Sequence, residues 1–323
     1  MTVETNVDFV DMLASLNDQG MQVTFDGQWH HLESEVIRGK CTQRTFADEF
    51  EFRIWDLEIV QDVRMFRRGN VADRWFLTLM IGTAEIENRD EDYQAVTGNL
   101  STMELHNLKK DDEFIIKSGS RLTSVSFHVN ASVLKPFLKD TDEELGRILS
   151  DNPPLAMNEL VDRLSRNALT QCITMDFGDE FGRRLLHNCM EFLFLFNLQK
   201  FWARLRGHFH LIADTDDLAY QRMLKASTLF GDYRNPPSLE VLSKFVGLNT
   251  MATNELFKQV YGKTPYQFFN DKRLNEAYQL ISETDMRIAD VGVMLGYGNM
   301  SHFSKAFKKH YGILPKQLQM QGA

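Results

Sequence analysis

A chain of 323 residues with 43% hydrophobic and 25% charged side chains can bury the cores of two domains, and that balance excludes a disordered or fibrous protein. Its formal net charge of −9 argues, taken whole, against a nucleic-acid partner, but the charge is uneven. Residues 236–323 hold ten Lys or Arg against seven Asp or Glu, a balance of +3 that leaves −12 on residues 1–235, and a mildly basic tail on an acidic body suits a module that meets phosphate.

The opening "MTVETNVDFVDMLASL" is acidic and lacks the basic start of a secretory signal. The stretches 49–60, 74–82, 101–108, 112–119 and 121–130 are short, rich in β-branched and aromatic residues, and punctuated by Gly, Asn and Asp, which predicts strands. In the last, Thr123, Val125, Phe127 and Val129 alternate with polar neighbours, so one sheet face is buried. Residues 1–130 are therefore expected to form a β-rich sandwich or barrel. Within them Arg53, Arg64, Arg67, Arg68 and Arg74 lie near Trp55, Trp75 and Phe76. Arginine among aromatics can bind an anionic, ring-bearing ligand by charge pairing and stacking; the other reading is a polar strand face over an ordinary core.

From about residue 131 the period becomes helical, in "SVLKPFLKDTDEELGRILSD", "LAMNELVDRLSRNALTQC" and "GDEFGRRLLHNCMEFLFLFNLQKFWARL". The region 131–230 reads as a helical dimerisation or linker segment. Leu186, Met190, Leu193 and Phe194 form a broad stripe in its third helix, which serves either a second copy or a core. The apolar run 189–202 includes Glu191, Asn197, Gln199 and Lys200 and is too short and polar to span a bilayer. Cys41, Cys172 and Cys189 are scattered and odd in number, which fits a reducing compartment, so a cytoplasmic protein without membrane contact is expected. His30, His31, His106, His128, His208 and His210 show no metal-ligand spacing. No nucleophile elbow, phosphate loop or paired-carboxylate signature is present, so neither a catalytic residue nor a cofactor is expected.

"YRNPPSLEVL" (233–242) marks a boundary: Pro236 and Pro237 stop a preceding helix, and Ser238 can cap the next. Beyond it the chain repeats itself. "FKQVYGKTP" (257–265) and "FKKHYGILP" (307–315) share F-K-x-x-Y-G-x-x-P, fifty residues apart. Each closes a unit of short helix, Gly turn (Gly247, Gly296), polar start (Asn249, Asn299) and second helix, the helix-turn-helix pattern. Residues 266–283 between them read as a helix with Phe269, Leu274, Ala277, Leu280 and Ile281 on its buried side. A rod of about 25 Å can hold two recognition helices about one DNA turn apart. Residues 231–323 are thus expected to be an all-α double helix-turn-helix domain, in an α+β chain overall.

Residues 236–323 resemble the AraC/XylS family of bacterial transcription regulators, most closely through "LNEAYQLISETDMRIADVGVMLGYGNMSHFSKAFKKHYGILP". The run "GYGNMSHFSKAFKKHYGI" is similar to a branch typified by pyochelin-type siderophore regulators. The resemblance implies a ligand-responsive regulator that places two helices in successive major grooves of double-stranded DNA, acts as a homodimer, and meets RNA polymerase if it activates. It implies base-reading roles for Met251, Asn254 and Glu255 on the first helix, with Met300, Ser301, Ser304 and Lys305 as the corresponding face of the second. The differing sets imply an asymmetric DNA site. Lys258, Arg273, Lys308, Lys309 and Lys316 are candidate phosphate contacts. The small-molecule effector would be an iron-siderophore or another small anionic or aromatic molecule. An enzyme, or a partner-recruiting N-terminal domain, localised to DNA by the same module is the alternative.

Overall fold

The computed structural model describes residues 1–5, 7–47, 49–69, 74–88, 96–107, 111–137, 146–147, 149, 156–205, 219, 222–223 and 226–321. The chain divides into two compact units, Met1–Leu224 and Lys225–Ala323.

In the first unit the described residues form one sheet of eleven strands. They are β1 (Thr2–Thr5), β2 (Gln22–Phe25), β3 (His30–Glu33), β4 (Ile37–Ala47), β5 (Phe50–Ile59), β6 (Val63–Arg67), β7 (Arg74–Asn88), β8 (Val96–His106), β9 (Asp112–Ile116), β10 (Arg121–Asn130) and β11 (Ala156–Leu160). The long central ladder runs β4-β5-β10-β7-β8, all antiparallel, while β1 lies parallel to β6. Two glycines allow the sheet to curl. A Cβ on Gly39 would stand 2.1 Å from the Asp56 carbonyl oxygen, and one on Gly82 would stand 2.0 Å from that of Arg121. Any side chain at these positions would push neighbouring strands apart, so the tight bend of this half-barrel depends on both.

Side-chain alternation then separates two faces. Phe52, Ile54, Trp75, Leu77, Leu79, Met103, Leu105, Val125, Phe127 and Val129 point to one of them. That face is covered by two helices, α3 (Arg163–Thr174) and α4 (Glu180–Leu205), which contribute Leu169, Leu186, Met190, Leu193, Phe194, Leu198, Phe201 and Trp202 to the same core. Each such side chain contributes about 1.5–3 kcal/mol when fully buried. The stripe that pattern alone left open, Leu186 to Phe194, is therefore core. The opposite face is closed by α1 (Phe9–Asp18), whose N-cap Asp8 accepts hydrogen bonds from the Val10 and Asp11 amides. Phe9, Met12 and Leu16 pack there with Val3, Leu57, Ile116 and Leu122. A single turn, α2 (Ala131–Leu134), follows β10.

One sequence expectation is corrected. Residues Ala156–Leu160 of the "LAMNEL" segment, expected as helix, form strand β11, antiparallel to β8 with Met157 opposite Leu105 and Leu160 opposite Thr102. Its apolar spacing fits either element, and pairing with a free strand edge decides between them. With β11 in the sheet and α3 and α4 on its core, much of 131–230 belongs to the first unit instead of standing as a separate segment. Most of the expected helix at 132–151 lies outside the described residues.

The second unit is helical: α5 (Leu239–Val246), α6 (Thr250–Tyr261), α7 (Pro265–Glu283), α8 (Ile288–Met294), α9 (Met300–Tyr311) and α10 (Pro315–Gln321). Ser238 caps α5 by accepting from the Val241 amide. α7 begins with a capping box between Thr264 and Gln267 and has Pro265 in its first turn. Phe269, Leu274, Ala277 and Ile281 of α7 are buried as expected. No helix among the described residues is long and apolar enough to cross a membrane.

Candidate functional site

The two units each present a candidate site. In the second, α6 and α9 are copies in every local respect. Each has 12 residues, an Asn N-cap whose side chain accepts backbone N–H bonds, and a C-cap glycine at φ 71° or 77°. Gly262 and Gly312 sit in the left-handed region, where a side chain would be strained.

The repeated motif explains itself in this frame. Phe257 and Phe307 are fully buried. The Tyr261 hydroxyl accepts from the Ser227 amide at 2.9 Å, while the Tyr311 hydroxyl donates to Asn275 Oδ1 of α7 at 2.6 Å. The closing prolines start α7 and α10. Lys263 and His310 approach one carboxylate, Asp271 on α7, at 3.1 and 3.5 Å. The turns differ by one residue: two steps from Gly247 to Asn249, three from Gly296 to Asn299.

On α6, Met251, Glu255 and Lys258 are exposed and Asn254 is half-buried, the outward face read from spacing. On α9, Ser301, Lys305, Lys308 and Lys309 are exposed, Ser304 is half-buried, and Lys316 of α10 is exposed. Two of the named residues take other places. Met300, the first residue of α9, is half-buried and packs against α8: a Cβ at Gly292 would stand 2.6 Å from its Sδ, and it joins the core to which α7, α8, α9 and α10 contribute. It fills the space between the two helices of the turn. Arg273 places its guanidinium 3.8 Å from the Tyr297 ring centroid and 5.1 Å from that of Phe269. That stacking ties α7 to the second turn. His302, exposed beside Ser301, is a surface group that the spacing argument omitted. Because α6 and α9 start fifty residues apart, the offset of the repeated motif, Met251 corresponds to Ser301, Asn254 to Ser304 and Glu255 to Lys305.

In the first unit, a cavity of about 150 Å³ opens on the sheet face closed by α1. Strands as far apart in the sheet as β1 and β8 line it together, so this face is concave. Cross-strand register sets a polar row in its wall. Glu104 (β8) lies opposite Thr78 (β7), Thr78 opposite Ser126 (β10), and Ser126 opposite Arg53 (β5). Thr78 Oγ1 and Ser126 Oγ are 3.0 Å apart, and Ser126 Oγ is 3.0 Å from His128 Nε2. His128 Nδ1 lies 3.3 Å from Glu51 Oε1, which also accepts from Arg53 at 3.0 Å. Arg67 donates to Glu104 at 2.9 Å. His106 and His128 pack against Phe76, one stacked and one edge-on.

Of the seven ligand candidates, Arg53, Trp55 and Arg67 line this cavity. Arg53 is 4% exposed and its Nε has no hydrogen-bond partner. Arg64 points away and pairs with Glu113, and Arg68 pairs with Glu4. Arg74 is half-exposed, 3.9 Å from Glu51, and outside the lining. Trp75 is buried in the core on the opposite face and is corrected to a packing residue, because odd positions of β7 point away from the cavity. The missed lining residues Thr78, Ser124, Ser126 and His128 had one signal: they are the polar partners in the alternation of β7 and β10.

Burial pushes the His128 imidazole down to about 4 despite the Glu51 carboxylate. Burial of Glu51 works upward, but the His128 and Arg53 contacts outweigh it and hold its carboxyl at about 2. Both folded values lie below the unfolded ones, so the stability they contribute is complete above the unfolded pKa and lost as pH falls. The His128 part should disappear from pH 6.5 toward 4, and the Glu51 part from 4.5 toward 2. Urea midpoints followed by tryptophan fluorescence should fall between pH 7 and 4.5. In His128→Gln the fall over that window should flatten; an unchanged slope would assign it to other groups.

Comparison with known proteins bears on the second unit. The family described as a helix-turn-helix domain matches residues 242–321. The HTH-type transcriptional regulator ExsA of Pseudomonas aeruginosa is 29% identical over 85 residues, 26% of this chain and 31% of its own length. The probable transcriptional regulator LumQ of Photobacterium leiognathi is 41% identical over 82 residues, 25% of this chain and 33% of its own. A crystal structure of a Chromobacterium violaceum transcriptional regulator of the group with AraC-type DNA-binding domains covers 32% of this chain and 94% of that one, at 28% identity and a TM-score of 0.30. The chain thus spans about a third of the length of the curated relatives it matches. Its second unit is a helix-turn-helix module. More narrowly, residues 242–321 are similar to the helix-turn-helix segments of these transcription regulators.

Proposed function

We propose that this protein is an effector-responsive transcription regulator, with the twin helices α6 and α9 entering successive major grooves of double-stranded DNA. The observation that carries this reading is the matched pair of capped 12-residue helices, one before and one after the 19-residue α7 in the chain. At 1.5 Å per residue α7 spans about 28 Å, close to the spacing of adjacent grooves on one duplex face. Glu255 against Lys305 at equivalent positions supports an asymmetric site, since a carboxylate accepts from cytosine while an ammonium favours guanine or phosphate.

The effector site of this reading is the cavity of the first unit. Two guanidinium groups, Arg53 and Arg67, face one carboxylate, Glu104, which suits a small anion. A cavity of about 150 Å³ holds a body of roughly benzene size, which favours a small anionic or aromatic molecule over an iron-siderophore. Phe181, Leu185 and Phe192 are exposed on α4 and support pairing with a second copy. Effector binding then shifts an existing equilibrium of the regulator, and contact with RNA polymerase follows if it activates.

Fluorescence anisotropy with the full chain and a labelled duplex tests the DNA reading. Affinity should fall steeply with salt, and Lys305→Ala should reduce the slope of log K against log salt by about one. No binding at 50 mM salt would overturn the reading, and an unchanged slope would remove Lys305 from the contacts.

A further inference from the structure

Cys172 near the end of α3 and Cys189 in α4 stand side by side, although they lie 17 residues apart in the chain. The Cys172 thiol donates to Cys189 Sγ at 3.0 Å. Cys172 is fully buried among Leu169, Leu186 and Met190. Cys189 is half-buried, and its sulfur also lies 3.9 Å from the Ala168 carbonyl oxygen. Both are free thiols. We propose that this pair is a reversible oxidation site, in which hydrogen peroxide converts the two thiols into a disulfide joining α3 to α4.

The geometry assigns the roles. Cys189 is the sulfur that solvent reaches, and the hydrogen bond from Cys172 lowers its thiol below the ordinary range. The same bond, together with burial, pushes Cys172 up, as expected of a partner that acts second. The Cys189 thiolate attacks one peroxide oxygen and the O–O bond breaks. Its sulfur becomes a sulfenic acid, and the departing hydroxide takes up the proton that the thiol gave, forming water. The Cys172 sulfur then attacks the sulfenic sulfur; its proton leaves with the sulfenic hydroxyl as a second water, and the S–S bond forms. Two electrons pass from the sulfurs to the peroxide, and a small dithiol returns them. The sulfurs need only close from 3.0 Å to about 2.05 Å. The bridge would staple together the two helices that cover the sheet. Cys41 is an internal control: it is buried on the other side of the sheet, and burial pushes its thiol up to about 12.

The test uses the full chain, reduced, freed of reductant and treated with near-stoichiometric hydrogen peroxide. Alkylation under denaturing conditions and mass spectrometry then count thiols. The expected result is a fall from three alkylatable thiols to one, at Cys41, with a dithiothreitol-sensitive crosslinked peptide carrying Cys172 and Cys189. In C172S, dimedone should trap a sulfenic acid at Cys189. In C189S, altered at the half-exposed position, neither remaining thiol should be lost under the same treatment. Retention of all three thiols would overturn the proposal. So would oxidation of Cys189 to a sulfinic acid while Cys172 stays a thiol, or equal loss of Cys172 in C189S. The wild-type and C189S measurements decide the matter even where C172S folds poorly.

Discussion

Phe307→Ala should destabilise the second unit by about 3–5 kcal/mol, the range for deleting a fully buried phenylalanine ring. Phe307 is 0% exposed, and its ring centroid lies 4.8 Å from that of Tyr311, 5.8 Å from Phe303 and 6.2 Å from Tyr278. Its core cluster draws on four helices, α7, α8, α9 and α10, so collapse around the void would need several of them to move. The tryptophans make the measurement selective. Trp29, Trp55, Trp75 and Trp202 all lie in the first unit, so urea unfolding followed by tryptophan fluorescence reports that unit, while far-UV circular dichroism includes the second. The helical transition should move to lower urea while the tryptophan transition stays in place. A loss below about 1 kcal/mol would refute the packing account. Met251→Ala, at a residue 72% exposed, should stay within about 0.5 kcal/mol and serves as the contrast.

Arg53→Ala should cost the first unit about 3 kcal/mol. Removing one member of a buried ion pair usually costs about 3–5 kcal/mol, because the other is left uncompensated. Here the lower end applies, since Glu51 keeps its contact with His128 at 3.3 Å. Lysine should restore little: Arg53 reaches Glu51 with one arm of a planar fork, and an ammonium on a flexible stem cannot copy that geometry. The tryptophan-monitored urea transition checks this, and it should reach full size only above pH 4.5, where Glu51 is charged in folded and unfolded chains alike. A neutral outcome for Arg53→Ala would mean that solvent in the cavity already satisfies Glu51.

The second unit was largely legible in the sequence because its rules are local. Ser238, Asn249 and Asn299 cap within three residues, Gly262 and Gly312 end helices by their own backbone freedom, and the buried residues of α7 recur at helical spacing. What spacing did not reach there, at Met300 and Arg273, came from neighbours outside their own helices: Gly292 of α8 leaves room for the thioether, and Tyr297 of the second turn offers a ring to the guanidinium.

The first unit shows the opposite balance. Its strands 49–60, 74–82 and 121–130 could be recognised from alternation, and even the division of β10 into an apolar and a polar edge was visible. Which polar edge faces which depends on register, and register joins residues 26 to 73 positions apart, Thr78 with Glu104 and Arg53 with Ser126. No window of sequence contains that row. The same holds for "LAMNEL", whose spacing suits a helix until an unpaired edge of β8 claims it, and for Cys172 and Cys189, scattered along the chain and adjacent in space. Backbone caps and periodicity act over three or four residues, so the chain spells them out. The cavity, the thiol pair and the seat of Arg53 arise only when distant strands and helices pack, because the free energy that places them belongs to contacts between segments.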